Sequence, residues 1–457
     1  RVHPRMSDLR RLLDEGKPIF GTDGVRGAAG SDLTPELALA IGRAAGGWLR
    51  SGPVLVGRDT RRSGSMLASA LQAGLHASGI DTVDVGVMPS GGISYLTEST
   101  SATMGAIVSA SHNPAADNGI KLLAARGTKL PDAVERELEE RLRSGGMTSA
   151  VGGSIGYRIE DVTGMESYLD HLASTSRYSL SGIAIALDCA HGAAYQAAPE
   201  LFTRLKADVD VHNAEPDGTN INLGCGATHP EFLAQVAHGR IGLAFDGDAD
   251  RLIAVDENGK VANGDVIMAI IARHLKQQGK LKRDKVVATV MSNLGFRRSM
   301  AEAGIEIVET KVGDRYVMEA LQEHDAVLGG EQSGHVIFTE HAQTGDGLLT
   351  AVQLLNVVAG TGKELRQLRE EAIIEYPQVL VNVPVGRTHD VENASELWRA
   401  VMEVEATLGD NGRVLVRPSG TEPLIRIMVE AATETDAQRY ADVLAHAARQ
   451  SFKEQVG

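Results

Sequence analysis

The chain is poor in cysteine and has no long apolar run. Its 457 residues include only two cysteines, Cys189 and Cys225, too few for a disulfide framework or a zinc knuckle. We therefore interpret both as packing residues in a reducing compartment. No apolar run approaches the roughly 20 residues that span a bilayer, and the N-terminus lacks an apolar signal core. These absences predict a cytoplasmic protein with no membrane partner.

Positive charge is also scarce. Lys and Arg number 45 against 60 Asp and Glu, which gives a formal net charge of −15. A nucleic-acid surface needs clustered cations, so nucleic acid is not expected as a partner. A small anionic substrate remains compatible with this charge if the protein forms a local basic pocket.

The length and the pattern of apolar residues predict several α/β domains. A chain of 457 residues is too long for one hydrophobic core. Short β-branched runs alternate with amphipathic stretches, which is typical of βαβ units and mostly parallel sheets. Near residue 376 the pattern changes to two antiparallel strands and a helix over 435–452. We expect domains at 1–161, 162–262, 263–376 and 377–457, and the first three each contain a βαβ block of similar size.

The segment 109–121, SASHNPAADNGIK, follows an apolar strand and carries a serine that we expect to project freely from a loop. At the end of a strand, Ser111 could act as a nucleophile or carry a phosphate. A structural turn, in which Ser111, Asn113 and Pro114 satisfy local hydrogen bonds, is the alternative. Lys121 lies ten residues further on, in what we take to be the same loop.

The segment 246–251, DGDADR, places three aspartates on alternate positions after an apolar strand. In an extended loop Asp246, Asp248 and Asp250 would face one point, where their mutual repulsion favours a bound cation such as magnesium or calcium. An EF-hand does not fit, because Arg251 stands where that loop needs glycine and the flanks are predicted strands. A solvated acidic turn is the alternative without a metal.

The segment 329–335, GGEQSGH, predicts a sugar-binding face. In an extended segment, Glu331, Ser333 and His335 would lie on one face and could hold sugar hydroxyls. The paired glycines would allow close approach of a ligand. His335 could carry a proton or be a buried core histidine, and the sequence leaves both open.

The segment 417–426, RPSGTEPLIR, has the composition of a phosphate clamp. Arg417 and Arg426 flank a turn containing Ser419, Gly420 and Thr421. Guanidinium groups, hydroxyls and a glycine amide together suit phosphate oxygens. A tight hairpin turn with surface arginines is the alternative.

Two more loops are rich in Gly, Asp and Arg, at 20–27 and 310–317. Arg26 and Arg315 could bind phosphate, or they could fix their loops by ion pairing. Taken alone, each loop favours the structural role.

Together these segments resemble the α-D-phosphohexomutase family. SASHNP, DGDADR, GEQSGH and RPSGTEP occur in the family order. The segments FGTDGVRG, VGRDTRRSGSML, PDGTNINLGCGATHPE and VGDRYVME are most similar to the branch of the family that acts on amino sugars. The resemblance implies an α/β fold of four domains around a central cleft, three related α/β units and a smaller C-terminal α+β domain. It is also compatible with a homodimer.

The resemblance further implies roles for individual residues. Ser111 would be phosphorylated, and its oxygen would bind Mg²⁺ with Asp246, Asp248 and Asp250. Lys121 and His335 would be the candidates for proton transfer. The implied substrate-binding residues are Arg26, His112, Arg251, Gly313, Asp314, Glu331 and Ser333. The phosphate-binding residues would be Arg417, Ser419, Gly420, Thr421 and Arg426.

The implied activity is an isomerisation by phosphoryl transfer. Glucosamine 6-phosphate and glucosamine 1-phosphate would interconvert through glucosamine 1,6-bisphosphate, which serves as intermediate and activator. This step would supply UDP-N-acetylglucosamine and peptidoglycan precursors. Mutases of mannose and glucose phosphates use the same chemistry and are the nearest alternative. A sugar-phosphate sensor without catalysis and a phosphatase using the same serine are more distant ones.

Overall fold

The chain forms two compact units. A computed structural model describes residues 19–21, 23–145, 149–385, 388–419 and 424–453. Within these residues, the first unit runs to Met291 and resumes at Ile305–Glu371, and the second combines Ser292–Gly304 with the residues from Ala372 onward. The first unit contains three sheets and the second contains one.

The first sheet has six strands in the order β1-β5-β4-β2-β3-β6. Its strands β2, β3, β4 and β6 run parallel, while β1, β5 and β4 are joined by antiparallel pairs. The elements of this region are β1 (Val25–Ala28), α1 (Pro35–Leu49), β2 (Val54–Arg58), α2 (Gly64–Ala77), β3 (Thr82–Val87), α3 (Ser90–Ser99), β4 (Met104–Val108), β5 (Asp117–Ala124), α4 (Asp132–Ser144) and β6 (Arg158–Glu160).

The second sheet has five strands in the order β11-β10-β9-β7-β8, and the third has four in the order β13-β12-β14-β15. The elements of the second region are α5 (Gly164–Ser174), β7 (Ala184–Asp188), α6 (Ala194–Arg204), β8 (Asp208–His212), α7 (Pro230–Val236), β9 (Ile241–Phe245), β10 (Leu252–Val255) and β11 (Val261–Ala262). Those of the third are α8 (Gly264–Gln277), β12 (Lys285–Thr289), α9 (Leu294–Glu302), β13 (Glu306–Thr310), α10 (Asp314–Glu323), β14 (Leu328–Gly330), β15 (Val336–Phe338), α11 (Gly347–Thr361) and α12 (Leu365–Ala372).

All three sheets contain the same βαβαββ sequence of elements. In each, three neighbouring parallel strands are followed by a fourth strand that returns antiparallel beside the third. The prediction of mostly parallel sheets therefore holds for the centre of each sheet, and the antiparallel return was not predicted. The shared topology supports the predicted relation among the three α/β units. It also places three chemically rich loops at equivalent points, after β4, β9 and β14.

Apolar strands and capped helices hold these loops in place. Every residue of β4 and β9 is buried, as expected for central strands covered on both faces. The Asn263 side chain accepts from the backbone N–H groups of Asp265 and Val266 at the start of α8, and Asp346 accepts from Leu349 at the start of α11. No helix in the described part of the chain is long and apolar enough to cross a membrane.

The second unit has an antiparallel sheet in the order β16-β18-β17. Its elements from residue 378 are β16 (Gln378–Pro384), α13 (Ser395–Leu408), β17 (Arg413–Pro418), β18 (Leu424–Glu430) and α14 (Glu434–Lys453). Buried aliphatic residues of the sheet and both helices form its core. The predicted antiparallel pair is present, and the C-terminal helix is one residue longer at each end than predicted.

Candidate active site

Ser111 lies at the start of the loop after β4, and it is buried. It is 3% exposed, so the prediction that it projects freely from its loop was wrong. The loop after β9 covers it so closely that a Cβ on Gly247 would lie 2.5 Å from the Ser111 carbonyl oxygen. Ser111 Oγ donates a hydrogen bond to Asp246 Oδ2 at 2.6 Å and lies 3.3 Å from His112 Nδ1. The serine therefore directly contacts the predicted metal loop.

The three aspartates converge as predicted. Asp246, Asp248 and Asp250 each offer a carboxylate oxygen, and these atoms lie within 4.8 Å of one another. The loop that carries them is a turn, not the extended segment that the alternating pattern predicted. Ala249 has φ +59° and redirects the chain within that turn. Ser90, at the start of α3, donates to Asp248 Oδ2 at 2.7 Å and fixes this carboxylate.

The electrostatics of the triad fit a bound divalent cation. Burial, followed by the charges of the other two aspartates, raises the pKa of Asp246 well above its usual value. Burial and Asp250 raise the pKa of Asp248 to about 6. Within the described residues, Asp248 Oδ1 and Asp250 Oδ1 are buried without a hydrogen-bond partner. A hard cation with oxygen ligands would satisfy these atoms and relieve the repulsion.

A cavity of about 240 Å³ opens beside the triad. Most of the substrate-binding residues predicted in the first unit line this cavity. Arg251 lies in its wall, with Nε 3.8 Å from Asp250 Oδ1, and Arg26 pairs with Asp23 at 3.3 Å. The predicted residues that line it are Arg26, Ser111, Lys121, Asp248, Asp250, Arg251, Gly313, Asp314, Glu331 and His335. His112 is not part of the lining, and burial followed by Arg251 and Arg26 lowers its pKa to about 4.

Lys121 belongs to strand β5 and not to the serine loop, so that part of the prediction was wrong. The chain returns after a short turn, and the antiparallel register sets Lys121 opposite Ile107 of β4. Its Nζ lies 3.1 Å from Asp314 Oδ2 at the start of α10. Burial opposes the charge, but Asp314, Asp23 and Asp250 overcome it and raise the pKa of Lys121. Lys121 is therefore a fixed cation in the cavity wall.

The predicted sugar-binding segment is also a turn. Residues 331–335 connect β14 to β15, and Gly334 takes φ +93°, which a longer side chain rarely adopts. Glu331 and His335 still line one cavity, but Ser333 does not, so the three side chains do not share one face as predicted. Glu331 lines the cavity and accepts from the Gly313 N–H at 2.9 Å. Ser333 is exposed and is not part of the cavity lining.

His335 is buried behind the triad. Its Nδ1 lies 3.4 Å from Asp250 Oδ2, and its Nε2 accepts from the Gly345 N–H at 3.2 Å. Burial lowers the pKa of His335, but Asp250 and other carboxylates raise it to about 9 overall, which would protonate Nε2. A protonated Nε2 could not accept the Gly345 hydrogen bond. With a cation among the aspartates to offset the charge on Asp250, we expect the neutral ring that this hydrogen bond requires. In the metal-free protein the carboxylates keep the ring protonated.

The predicted phosphate clamp lies in the second unit. Arg417 and Arg426 stand directly opposite each other on β17 and β18. The Ser419 N–H donates a hydrogen bond to the Leu424 carbonyl oxygen at 2.8 Å. Gly420 and Thr421 lie outside the described residues. Two arginines at directly opposite positions could both donate hydrogen bonds to the oxygens of one phosphate.

Four residues that hold the serine loop were missed from the sequence. Asp59, Arg61 and Ser109 form a buried network under Ser111, and Asn222 reaches the same loop from the second α/β region. The sequence does contain a pattern that could have indicated them. β2 and β4 are parallel neighbours, so the polar segments that follow them lie at the same edge of the sheet. The segment VGRDTRRSGSML contributes to the family resemblance, but its composition does not indicate what its arginines contact.

The chain belongs to the phosphoglucomutase/phosphomannomutase family. Family models match its alpha/beta/alpha domains I, II and III at residues 17–148, 166–259 and 263–376, and its C-terminal domain at residues 380–447. The four-domain fold class predicted from the sequence is thereby confirmed.

Among its relatives, the phosphoglucosamine mutase of Lysinibacillus sphaericus is 48% identical over 94% of this chain and 98% of its own. A phosphoglucomutase/phosphomannomutase family protein from Burkholderia thailandensis has a TM-score of 0.81 at 25% identity, covering 95% of this chain and 97% of that one. The Aspergillus fumigatus N-acetylphosphoglucosamine mutase, solved with GlcNAc-6P and magnesium, has a TM-score of 0.70 at 17% identity, covering 99% and 100%.

Proposed function

We propose that this protein is a phosphoglucosamine mutase that interconverts glucosamine 6-phosphate and glucosamine 1-phosphate. The observation that carries the proposal is the 2.6 Å contact between Ser111 Oγ and Asp246, one of three clustered aspartates beside a cavity with a fixed lysine. Eight relatives at 46–49% identity carry this enzyme name, which favours the amino sugar over glucose or mannose.

Ser111 would carry the phosphoryl group. In the first half-reaction it would pass the group to the free hydroxyl of the sugar phosphate, which gives glucosamine 1,6-bisphosphate. In the second half-reaction the other phosphate would return to Ser111. A serine held at one point by Asp246 and its loop suits both transfers, because phosphoryl transfer depends mainly on positioning and electrostatics.

Asp246, Asp248, Asp250 and a phosphorylated Ser111 would hold Mg²⁺. Their oxygen donors and the two unpartnered carboxylate oxygens suit this ion. When bound, the ion would neutralise negative charge that develops on the transferred group. Arg251 and Lys121 line the same cavity and would add positive charge there.

In the first unit, residues of the cavity wall would bind the sugar phosphate. Glu331 would accept hydrogen bonds from sugar hydroxyls, and Gly313, Asp314 and Arg26 line the same cavity. Ser333 is a weaker candidate because it lies outside the lining. The phosphate that does not react would be held by Arg417, Ser419, Gly420, Thr421 and Arg426.

A proton must leave the accepting hydroxyl and later return. Lys121 is the better candidate of the two predicted groups, because it lines the cavity as an ammonium that could donate to a leaving oxygen. His335 is held between Asp250 and Gly345, so both ring nitrogens are already used. We assign His335 the task of orienting Asp250.

The test is a coupled assay with Mg²⁺ and a trace of glucosamine 1,6-bisphosphate. Glucosamine 6-phosphate, glucose 6-phosphate and mannose 6-phosphate are compared at matched concentrations. A kcat/KM at least tenfold higher for glucosamine 6-phosphate is the expected result, and equal or higher values for the other sugars would contradict the substrate assignment. Release of inorganic phosphate at the rate of turnover would instead indicate a phosphatase.

A further inference from the structure

Arg61 is a buried arginine whose guanidinium group contacts the backbone of the Ser111 loop. We propose that Arg61 is a positioning residue that, with Asp59 and Ser109, holds Ser111 in the conformation needed for phosphoryl transfer. The proposal deepens the function proposed above and rests on it. Arg61 is 2% exposed and does not line the cavity.

All five N–H donors of the Arg61 guanidinium group are used within the protein. Nε donates to Asp59 Oδ2 at 2.9 Å. Nη2 donates to the carbonyl oxygens of Ser111 at 2.8 Å and Asn113 at 2.7 Å. Nη1 donates to the carbonyl oxygens of Pro114 and Asp117. One side chain therefore binds four carbonyl oxygens of the serine loop.

The counter-ion of Arg61 reaches the other side of the Ser111 backbone. Asp59 Oδ2 accepts from Ser109 Oγ at 2.6 Å, and the same Oγ accepts from the Ser111 N–H at 2.9 Å. The Ser111 N–H and carbonyl group are thus both tied to the Asp59–Arg61 ion pair. Ser111 has φ +50°, a backbone conformation that is unfavourable for a serine unless its surroundings enforce it.

This geometry excludes the obvious alternative for an arginine beside a phosphoserine. A guanidinium group has five N–H donors, and none of those on Arg61 remains for a phosphate oxygen. Lysine has three donors without the planar fork, so it could not bind five acceptors. Asn222 Nδ2 adds a bond to the Ser111 carbonyl oxygen at 2.9 Å, which aligns the loop with the metal-binding region.

The experiment compares Arg61→Lys with the wild type and with Arg62→Lys, a control at the exposed neighbouring arginine. We expect Arg61→Lys to lower kcat about 100-fold, the size of effect known for small misplacements of reacting groups. KM should stay within about threefold, because Arg61 does not line the cavity. Arg62→Lys should match the wild type. A kcat within threefold of wild type would overturn the proposal, and so would a higher KM without a lower kcat.

Hydrogen exchange of residues 109–117 tests the same proposal without turnover. The peptide should exchange faster in Arg61→Lys than in wild type or Arg62→Lys, since four of its carbonyl oxygens lose their fixed partner. Unchanged exchange would contradict the proposal. A wild type that converts none of the three sugar phosphates would refute the proposed function, and the exchange result would still decide the role of Arg61.

Ser109→Ala keeps the test decisive if Arg61→Lys does not fold. This change removes one hydroxyl and leaves the Asp59–Arg61 pair in place. The Ser111 N–H then loses its acceptor, so we expect faster exchange at that amide and a loss in kcat of about tenfold, comparable to one lost hydrogen bond. Normal exchange and normal kcat in Ser109→Ala would overturn the proposal.

Discussion

Removing one charge from the aspartate triad should stabilise the metal-free protein. Asp248 is the best position for this substitution, because it is only 7% exposed and burial and Asp250 raise its pKa to about 6. The Asp248→Asn variant keeps the shape of the side chain, and its amide oxygen can still accept from Ser90 Oγ. The substitution therefore removes the charge with little change in packing.

The magnitude follows from the pKa of Asp248. The change from the usual value of 3.8 to about 6 is about two units, and at about 1.4 kcal/mol per unit this gives about 3 kcal/mol. The folded protein binds this proton more tightly than the unfolded chain does. Wild type therefore loses stability as the pH rises from about 4 through about 6, and Asp248→Asn does not.

The assay is urea unfolding in EDTA at pH 7.5 and at pH 4.5. The chain has two tryptophans, Trp48 in the first unit and Trp398 in the second, so a Trp398→Phe background makes fluorescence report on the unit that holds the triad. We expect Asp248→Asn to be more stable than its parent at pH 7.5 by up to about 3 kcal/mol. The advantage should shrink at pH 4.5. Mg²⁺ should stabilise the parent more than the variant.

Asp250→Asn is the matched contrast within the same triad. Burial raises the pKa of Asp250, but His335, Arg251 and Lys121 outweigh it and hold the pKa below its usual range. The Asp250 charge therefore stabilises the folded state above the ordinary carboxyl pKa, and its removal should destabilise the metal-free protein at pH 7.5. A stability gain in Asp250→Asn, or a gain in Asp248→Asn that does not depend on pH, would refute the electrostatic reasoning.

Three further predictions concern turnover. Ser111→Ala should abolish mutase activity while the protein stays folded, because the lost bond to Asp246 costs only about 1 kcal/mol; activity above background would remove the serine from the mechanism. Lys121→Gln should lower kcat by the same factor at pH 6.5 and pH 8.5, because Asp314 keeps the lysine charged over this range; a loss that grows with acidity or alkalinity would contradict a fixed cation. Arg417→Ala should raise KM for the sugar phosphate at least tenfold and leave the affinity for Mg²⁺ unchanged, and unchanged KM would place the phosphate clamp elsewhere.

The order and type of most elements could be predicted from the sequence. The apolar runs of β4 and β9 are short and each precedes a polar loop, which indicates a buried strand, and every residue of both strands is buried. The carboxylates of the DGDADR segment converge because they are close together along the chain. Features of this kind can be predicted from the sequence because they depend on residues that are close together along the chain.

Tertiary structure decided what the local pattern could not. The burial of Ser111, the place of Lys121 in a returning strand and the turn at Gly334 depend on segments far apart in the chain. Arg61 shows this most clearly, because a sequence shows five donors and only the fold supplies five acceptors. The sequence alone determined which chemical groups this protein has. Packing of the loops after β2, β4 and β9 decided which of those groups meet, because hydrogen bonds depend on distances in space that chain spacing does not specify.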